Sequence, residues 1–376
     1  MRILKIVSST DGGGVLTCET QYIKCMRSQG ILVDLVIIGN GKRKDFYASL
    51  SDNFVELDNL KWSYIGNFSN RINAIIQTYR YGKRNLKKVV TSLSGNYDAV
   101  IYRRPNFLFL ASFLAKQYDS AAFWHLPGIV SNRLAKMMYS FLCKKFSIVP
   151  IANSEYTKKS LGDVCRHFVY PGFDSKRIIL GDKTYRNELG IPEGVPVYGM
   201  VARVCYDKAQ DLLIGGFINS KAIESNGHLL IAGASNQAEY LKELHNLAGA
   251  FYGKNVHFLG EITDLSKFYS TIDVAVNSRR NVEAFGISIA EALGAGKPII
   301  AYKLGGPSEM IKNNVNGWLI DYPNLDSYRQ AIDLSLSKKS EWESIGFAGK
   351  AMSNIFSVDF NVSKLLNIIR SKQGIN

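Results

Sequence analysis

Hydrophobic positions along this chain come in short continuous runs, not in alternation. Ile3 to Val7 is the first run, and Asp11-Gly12-Gly13-Gly14 breaks it. Apolar residues then recur at helical spacing through Val15, Tyr22, Ile23 and Met26 and stop at Gly30; Leu32 to Ile38 is a second buried-type run. Continuous apolar strands alternating with helices predict a parallel sheet covered on both faces. Further strands are expected at 99–102, 121–124 and 148–151. Punctuation thickens at Tyr170-Pro171-Gly172-Phe173, and the pattern then restarts. Strands are predicted at 196–201, 228–231, 256–259, 274–277, 298–301 and 317–320, with helices over 211–217 and 284–293. The chain reads as α/β: two Rossmann-like doubly wound domains joined near residue 172.

A length of 376 residues fits two domains. With 46% hydrophobic and 21% charged residues there is material for real cores and little room for disorder. No run approaches the ~18 apolar residues that span a bilayer. Met1 to Val7 is too short and too interrupted for a signal peptide. Cys18, Cys25, Cys143, Cys165 and Cys205 form neither a C-x-x-C pair nor a metal spacing, so a reducing, cytoplasmic setting is expected.

The net charge of +14 changes this picture once it is divided. Residues 1–172 hold 24 Lys+Arg against 11 Asp+Glu, whereas residues 173–376 hold 22 against 21. An excess confined to the first half points to an anionic partner: nucleic acid, phospholipid headgroups or a phosphorylated substrate. The alternative is a solvated basic face kept for solubility.

Candidate chemistry sits after the strands. Gly12, Gly13 and Gly14 bring bare backbone N–H groups to a helix start, where a phosphate is favoured, although tight βα turns also use glycine for steric reasons alone. Asp34 has the spacing of a ribose-binding acid but lies early in its strand, which rejects a nicotinamide site. In the second half, Glu283-Ala284-Phe285-Gly286-Ile287-Ser288-Ile289-Ala290-Glu291 sets two carboxylates eight residues apart around a small turn into a helix. A helix starting near Gly286 aims free N–H groups at an anion, and Glu291 suits vicinal hydroxyls such as a ribose. Arg203 and Lys208 follow the strand at 196–201, where a parallel sheet presents ligands, and suit a diphosphate. Asn277-Ser278-Arg279-Arg280-Asn281 is strongly basic, and the sequence assigns it no role.

These residues resemble a known family. Arg203 with Lys208, Glu283-x7-Glu291 with Phe285-Gly286 inside it, Gly294-Ala295-Gly296-Lys297-Pro298 and Gly305-Gly306-Pro307-Ser308-Glu309 are similar to the retaining GT-B glycosyltransferases of the GT4 family (glycosyl transferases group 1), of bacterial surface-polysaccharide type. The N-terminal glycine loop and His125 extend the resemblance over most of the chain. The resemblance implies domains at 1–172 (plus about 358–376) for the acceptor and 173–357 for a nucleotide-sugar donor, facing across a central cleft, with the last helix crossing back. It implies that Arg203 and Lys208 stabilise the leaving diphosphate, that Glu283 binds the transferred sugar, and that backbone N–H groups of Phe285, Gly286, Ile287 and Ser288 hold sugar and phosphate. Glu291 would take the ribose, and Gly260, Glu261 and Ile262 the nucleobase. Gly13 and Gly14 would touch the donor, while Gly12, Gly13 and His125 would face the acceptor side, His125 beside the transferred sugar. Ala284 stands where the family commonly has glycine, which bears on donor-sugar fit.

The expected reaction moves a hexose-type sugar from a UDP- or GDP-linked donor to a hydroxyl of a glycan or lipid-diphosphate-linked acceptor. The resemblance implies no metal, the two cations standing in for one, and no cofactor beyond the nucleotide-diphosphate sugar as co-substrate; no D-x-D occurs in the chain. Two basic stretches, Arg71 to Val90 and Ser131 to Phe146, mix cations with apolar residues at helical spacing. Either an anionic membrane surface or ordinary burial accounts for them. The former implies a peripheral place on the inner face of the cell membrane. Rival readings are a GT-B-type nucleotide-sugar epimerase and a non-catalytic nucleotide-sugar or anionic-polymer binding protein. Nucleic acid is disfavoured, since the basic stretches lack regular aromatic interleaving.

Overall fold

In the first unit, β1 (Arg2–Ser8), β2 (Leu32–Ile38), β3 (Phe54–Leu57), β4 (Ala99–Tyr102), β5 (Ala121–Leu126), β6 (Ile148–Ala152) and β7 (His167–Phe168) follow one another with helices between them. The computed structural model describes residues 1–61, 68–182 and 184–373. Among these, the chain divides into Met1–Gly172 with Val358–Asn376, and Phe173–Ser357. The first unit's sheet runs in the order β3-β2-β1-β4-β5-β6-β7, every neighbour parallel. The second unit's strands are β8 (Val197–Val201), β9 (His228–Ala232), β10 (Val256–Gly260), β11 (Val274–Asn277), β12 (Ile299–Tyr302) and β13 (Gly317–Ile320). They too are all parallel, in the order β10-β9-β8-β11-β12-β13. In each sheet the order reverses beside the first strand, so loops leaving the carboxyl ends there diverge and open a crevice.

Burial on both faces explains the unbroken apolar runs. Successive β1 side chains alternate between two cores, Leu4 and Ile6 into one, Ile3 and Val7 into the other. The helix Val358–Gln373 supplies Val358, Val362, Leu365, Leu366 and Ile369 to the second of these cores, packed with Tyr22 and Ile23 of the helix Gly13–Ser28. Their spacing is that of one helical stripe. All five cysteines are buried and none forms a disulfide. Among the described residues, no helix is long and apolar enough to cross a membrane.

Four elements differ from expectation, each for a local reason. β5 runs two residues beyond Trp124, so His125 lies within the strand and not after it. β3 and β7 have no counterpart among the expected strands: both are edge strands, the apolar run of β3 is interrupted by Glu56, and β7 has only two residues. The second-unit helix begins at Ile287, not at Ala284, because Glu283 pairs as a bridge with Gly305 and Gly286 caps the helix at φ +96°.

Candidate donor site

The loops that follow β8 and β11 build the second unit's candidate site. Positive φ at Gly286 and Gly305 gives it shape: a Cβ on Gly286 would lie 2.8 Å from Ile289, and one on Gly305 2.1 Å from the carbonyl of Glu283. Gly306 N–H donates back to Glu283 at 2.8 Å, so the β11 and β12 loops are zipped together. Ala284 lies outside the left-handed region, so alanine takes the position where the family commonly has glycine without backbone strain. The helix Ile287–Gly294 then starts with N–H groups that have no acceptor within the helix. Asn277 Nδ2 donates to Ser288 Oγ at 3.0 Å and fixes that first turn.

Glu283 is held by two cations. Lys208 Nζ donates to its Oε2 at 3.2 Å, and Arg279 Nη1 donates to the same oxygen. Burial works to raise its pKa, but the two cations outweigh it and hold the carboxyl below its usual range. Arg279 also reaches Asp207 at 3.1 Å, and Arg280 pairs with Asp211 while its guanidinium lies 3.8 Å over the Tyr206 ring. Ser278 Oγ donates to the Lys208 carbonyl at 2.7 Å. These contacts lace the β8 loop to the β11 loop. They give the Arg279-Arg280 pair the role that sequence alone does not assign, and the basic run before Glu283 is its only signal there. Ala209, just after Lys208, sits at φ +54°, a turn that few non-glycine residues adopt.

Glu291 stands in contrast. It lies on the second turn of the Ile287–Gly294 helix, buried, with no hydrogen-bond partner among the described residues. Burial pushes its carboxyl up to about 7, with Arg177 pulling weakly the other way. A buried acid without a partner is a costly arrangement unless a ligand supplies one. Arg203 is exposed, with no ion pair among the described residues, and Gln210 Nε2 holds its carbonyl at 2.9 Å. Gly260 and Glu261 are exposed at the end of β10 and Ile262 is half-buried; the Gly260 carbonyl accepts from Gly233 at 2.7 Å. The structure therefore gathers Arg203, Lys208, Glu283, Phe285, Gly286, Ile287, Ser288 and Glu291 on loops at the carboxyl ends of β8 and β11, with Gly260, Glu261 and Ile262 after β10.

In the first unit, Gly12, Gly13 and Gly14 are exposed at the start of the Gly13–Ser28 helix, and Gly12 provides no side-chain cap. His125 corrects the sequence reading. Its ring is buried inside β5, Nδ1 is 3.1 Å from Arg103 Nη2, and Nε2 is 3.0 Å from the Val169 carbonyl. Since arginine only donates, Nδ1 accepts and Nε2–H donates, which leaves no ring nitrogen for a sugar. Burial first, then Arg103, holds the imidazole well below its ordinary pKa. Arg103 also pairs with Glu19, which takes Lys5 at 2.7 Å, so the histidine belongs to a buried ionic network. Asp34 is structural: Arg2 and Tyr97 both hold it. Among the described residues no three His, Cys, Asp or Glu side chains gather at metal-binding distance.

Residues 181–352 match the family model described as Glycosyl transferases group 1. That match spans nearly all of the second unit. An uncharacterized glycosyltransferase of Methanocaldococcus jannaschii is 33% identical over 156 residues, 41% of this chain and 39% of that protein. The lipopolysaccharide 1,2-N-acetylglucosaminetransferase of Salmonella typhimurium is 29% identical over 180 residues, 46% of each. The chain thus spans less than half the length of these curated relatives. HepE from Anabaena, solved with UDP and glucose, is 20% identical with a TM-score of 0.78 over 99% of this chain and 100% of its own. That likeness shows a GT-B fold, in which the matched residues 181–352 hold the second sheet.

Proposed function

We propose that the chain is a retaining glycosyltransferase that moves a hexose from a UDP- or GDP-linked donor to a hydroxyl of a glycan or lipid-diphosphate-linked acceptor. The observation that carries this reading is the pair of unlike acids on one turn-and-helix: Glu283 held ionised by Lys208 and Arg279, Glu291 buried with no partner among the described residues. The UDP and glucose bound to HepE and the name of the Salmonella relative favour a nucleotide-sugar donor and a glycan acceptor. Breaking the anomeric C–O bond puts negative charge on the leaving diphosphate. Lys208, Arg203 and the N-terminus of the Ile287–Gly294 helix meet that charge, and preorganised groups of this kind do more for the rate than any other feature such a site can offer. Glu291 accepts from the ribose hydroxyls, and Gly260 to Ile262 line the base.

Glu283 positions the sugar and is not the nucleophile, since one of its oxygens already accepts from two cations. The acceptor attacks on the face the phosphate leaves, and the departing phosphate takes its proton. No metal enters this scheme; the cations at the phosphate stand in for one. On the acceptor side the Gly12–Gly14 turn remains the candidate, and His125 takes no part in the chemistry. Such an acceptor places the enzyme in the cytoplasm, at the inner face of the membrane.

Calorimetry of UDP, GDP and ADP without metal tests the donor site. One nucleotide should bind, and Glu291→Ala should weaken it roughly tenfold to a hundredfold, the loss expected for a hydrogen bond to a charged group. No binding by any of the three would remove the donor reading.

A further inference from the structure

The helix Arg133–Lys145 of the first unit carries two apolar faces, and only one of them is used by the fold. Tyr139, Leu142 and Cys143 point into the core. Leu134, Met137 and Phe141 do not: they are 62%, 60% and 60% exposed. At 100° per residue these three fall within a single solvent-facing arc. Lys145 flanks the arc on one side, and Lys144, Arg133 and Lys136 flank it on the other. The helix contains no acidic residue. An ordinary surface helix turns polar residues outward; here the outward face is apolar at its centre and cationic at its rim.

The surroundings extend the same chemistry. At one end Asn132 caps the helix and accepts from Arg71 Nη1 at 3.5 Å. Arg71 belongs to the helix Phe68–Ser92, which also has no acidic residue and exposes Ile72 and Ile76 one turn further on, 43% and 44%. On the other flank the Lys136 side chain lies over Gly162, beside Lys158, Lys159 and Arg166, where Asp163 is the one acid among three cations. The first unit as a whole holds 27 Lys+Arg against 12 Asp+Glu, so the second unit carries none of the excess.

We propose that this face docks on an anionic lipid bilayer, with the Arg133–Lys145 helix lying in the plane of the interface. Leu134, Met137 and Phe141 enter the boundary between headgroups and acyl chains. The lysines and Arg133 lie alongside with their stems against the apolar layer and their charges among lipid phosphates. The two other occupants fit less well. A second copy bound through the same face would set four cations against four, which repel. A polyanion such as nucleic acid would use the cations and leave three large apolar side chains in water. Membrane docking of this face is independent of the donor site and stands or falls without any glycosyl transfer.

Co-sedimentation of the full chain with vesicles of phosphatidylcholine, alone or mixed with phosphatidylglycerol, tests it. The chain should pellet with the mixed vesicles and stay in solution with the neutral ones, and added salt should weaken the binding. Leu134→Ser, Met137→Ser and Phe141→Ser combined should reduce binding to mixed vesicles by roughly a hundredfold or more, each exposed apolar chain being worth several-fold at least once buried. Unchanged thermal unfolding and unchanged nucleotide calorimetry should accompany that loss, since none of the three supports the core. Lys136→Gln with Lys144→Gln gives an independent readout should the triple variant fold poorly, and it should lower both the affinity and its salt dependence. Equal binding to both vesicle types, no binding to mixed vesicles, or a triple variant that binds as the parent does would overturn the proposal. So would a parent dimer that the triple variant disperses, which would assign the face to a second copy. Binding to single-stranded DNA that survives the triple substitution while vesicle binding is absent would assign it to a polyanion.

Discussion

Arg279 has a task that Lys208 cannot do alone. If Lys208 moves from Glu283 to an arriving phosphate, the carboxylate loses one of its two cations just when it must hold a sugar hydroxyl. Arg279, tethered at Asp207 and beneath Tyr328, whose hydroxyl accepts from its backbone N–H at 3.1 Å, stays and keeps Glu283 ionised. Arg279→Gln should therefore raise the Glu283 pKa and move the acid limb of the kcat/KM profile to higher pH, with activity down roughly tenfold to a hundredfold, as for loss of an orienting partner. Arg279→Lys should recover part of both. An acid limb that does not move in Arg279→Gln would show that Arg279 only braces the loop. At this scale the sequence is unevenly legible. Arg203, Lys208, Glu283 and Glu291 stand out by spacing around a turn, because their places follow from local chain geometry. Arg279 does not, since its partner depends on how two loops meet. His125 misleads, since spacing alone cannot tell a residue inside the end of a strand from the first one beyond it.

At the scale of elements, β9 and β10 carry a different kind of pair. His228 Nδ1 and His257 Nε2 lie 3.0 Å apart on stacked rings near the amino ends of these strands, away from the donor loops. Burial, then His257 and Arg186, lowers His228 to about 4; burial lowers His257 as well. The unfolded chain takes up these protons near pH 6.5, while the folded unit resists until about 4. Stability from the pair is thus complete above about 6.5 and drains away as pH falls toward 4, by up to roughly 3 kcal/mol for His228. Denaturant midpoints of the parent should drop across this window, and His228→Asn should flatten the drop. An identical pH slope in the variant would remove the pair from the account. The elements themselves are largely legible. β2, β4, β11 and β13 begin and end where the apolar runs do, because these strands are buried almost throughout and their few polar residues, Asp34 and Asn277, do not set up an alternation. β3 and β7 escape notice because Glu56 breaks the four-residue run of one edge strand and the other is only two residues long.

At the scale of the molecule, the two sheets are built alike but completed differently. The second unit is continuous, whereas the first closes its core with a helix from the far end of the chain. Leu365 and Ile369 are fully buried against the Gly13–Ser28 helix and the strands beneath it, so the first unit's stability depends on a segment that lies beyond the whole second unit. Leu365→Ala removes a buried side chain there and should cost about 2–5 kcal/mol. That loss should fall on one unit only. Nucleotide binding, confined to second-unit loops, should keep its affinity. In calorimetric unfolding with saturating nucleotide, the ligand raises the transition of the unit that binds it. The other transition should fall by several degrees in Leu365→Ala. If both transitions fall together, the units unfold as one cooperative body and the helix couples them. If neither moves, the Leu365 site has collapsed around the smaller side chain, and the far-end helix matters less to the first unit than its burial implies.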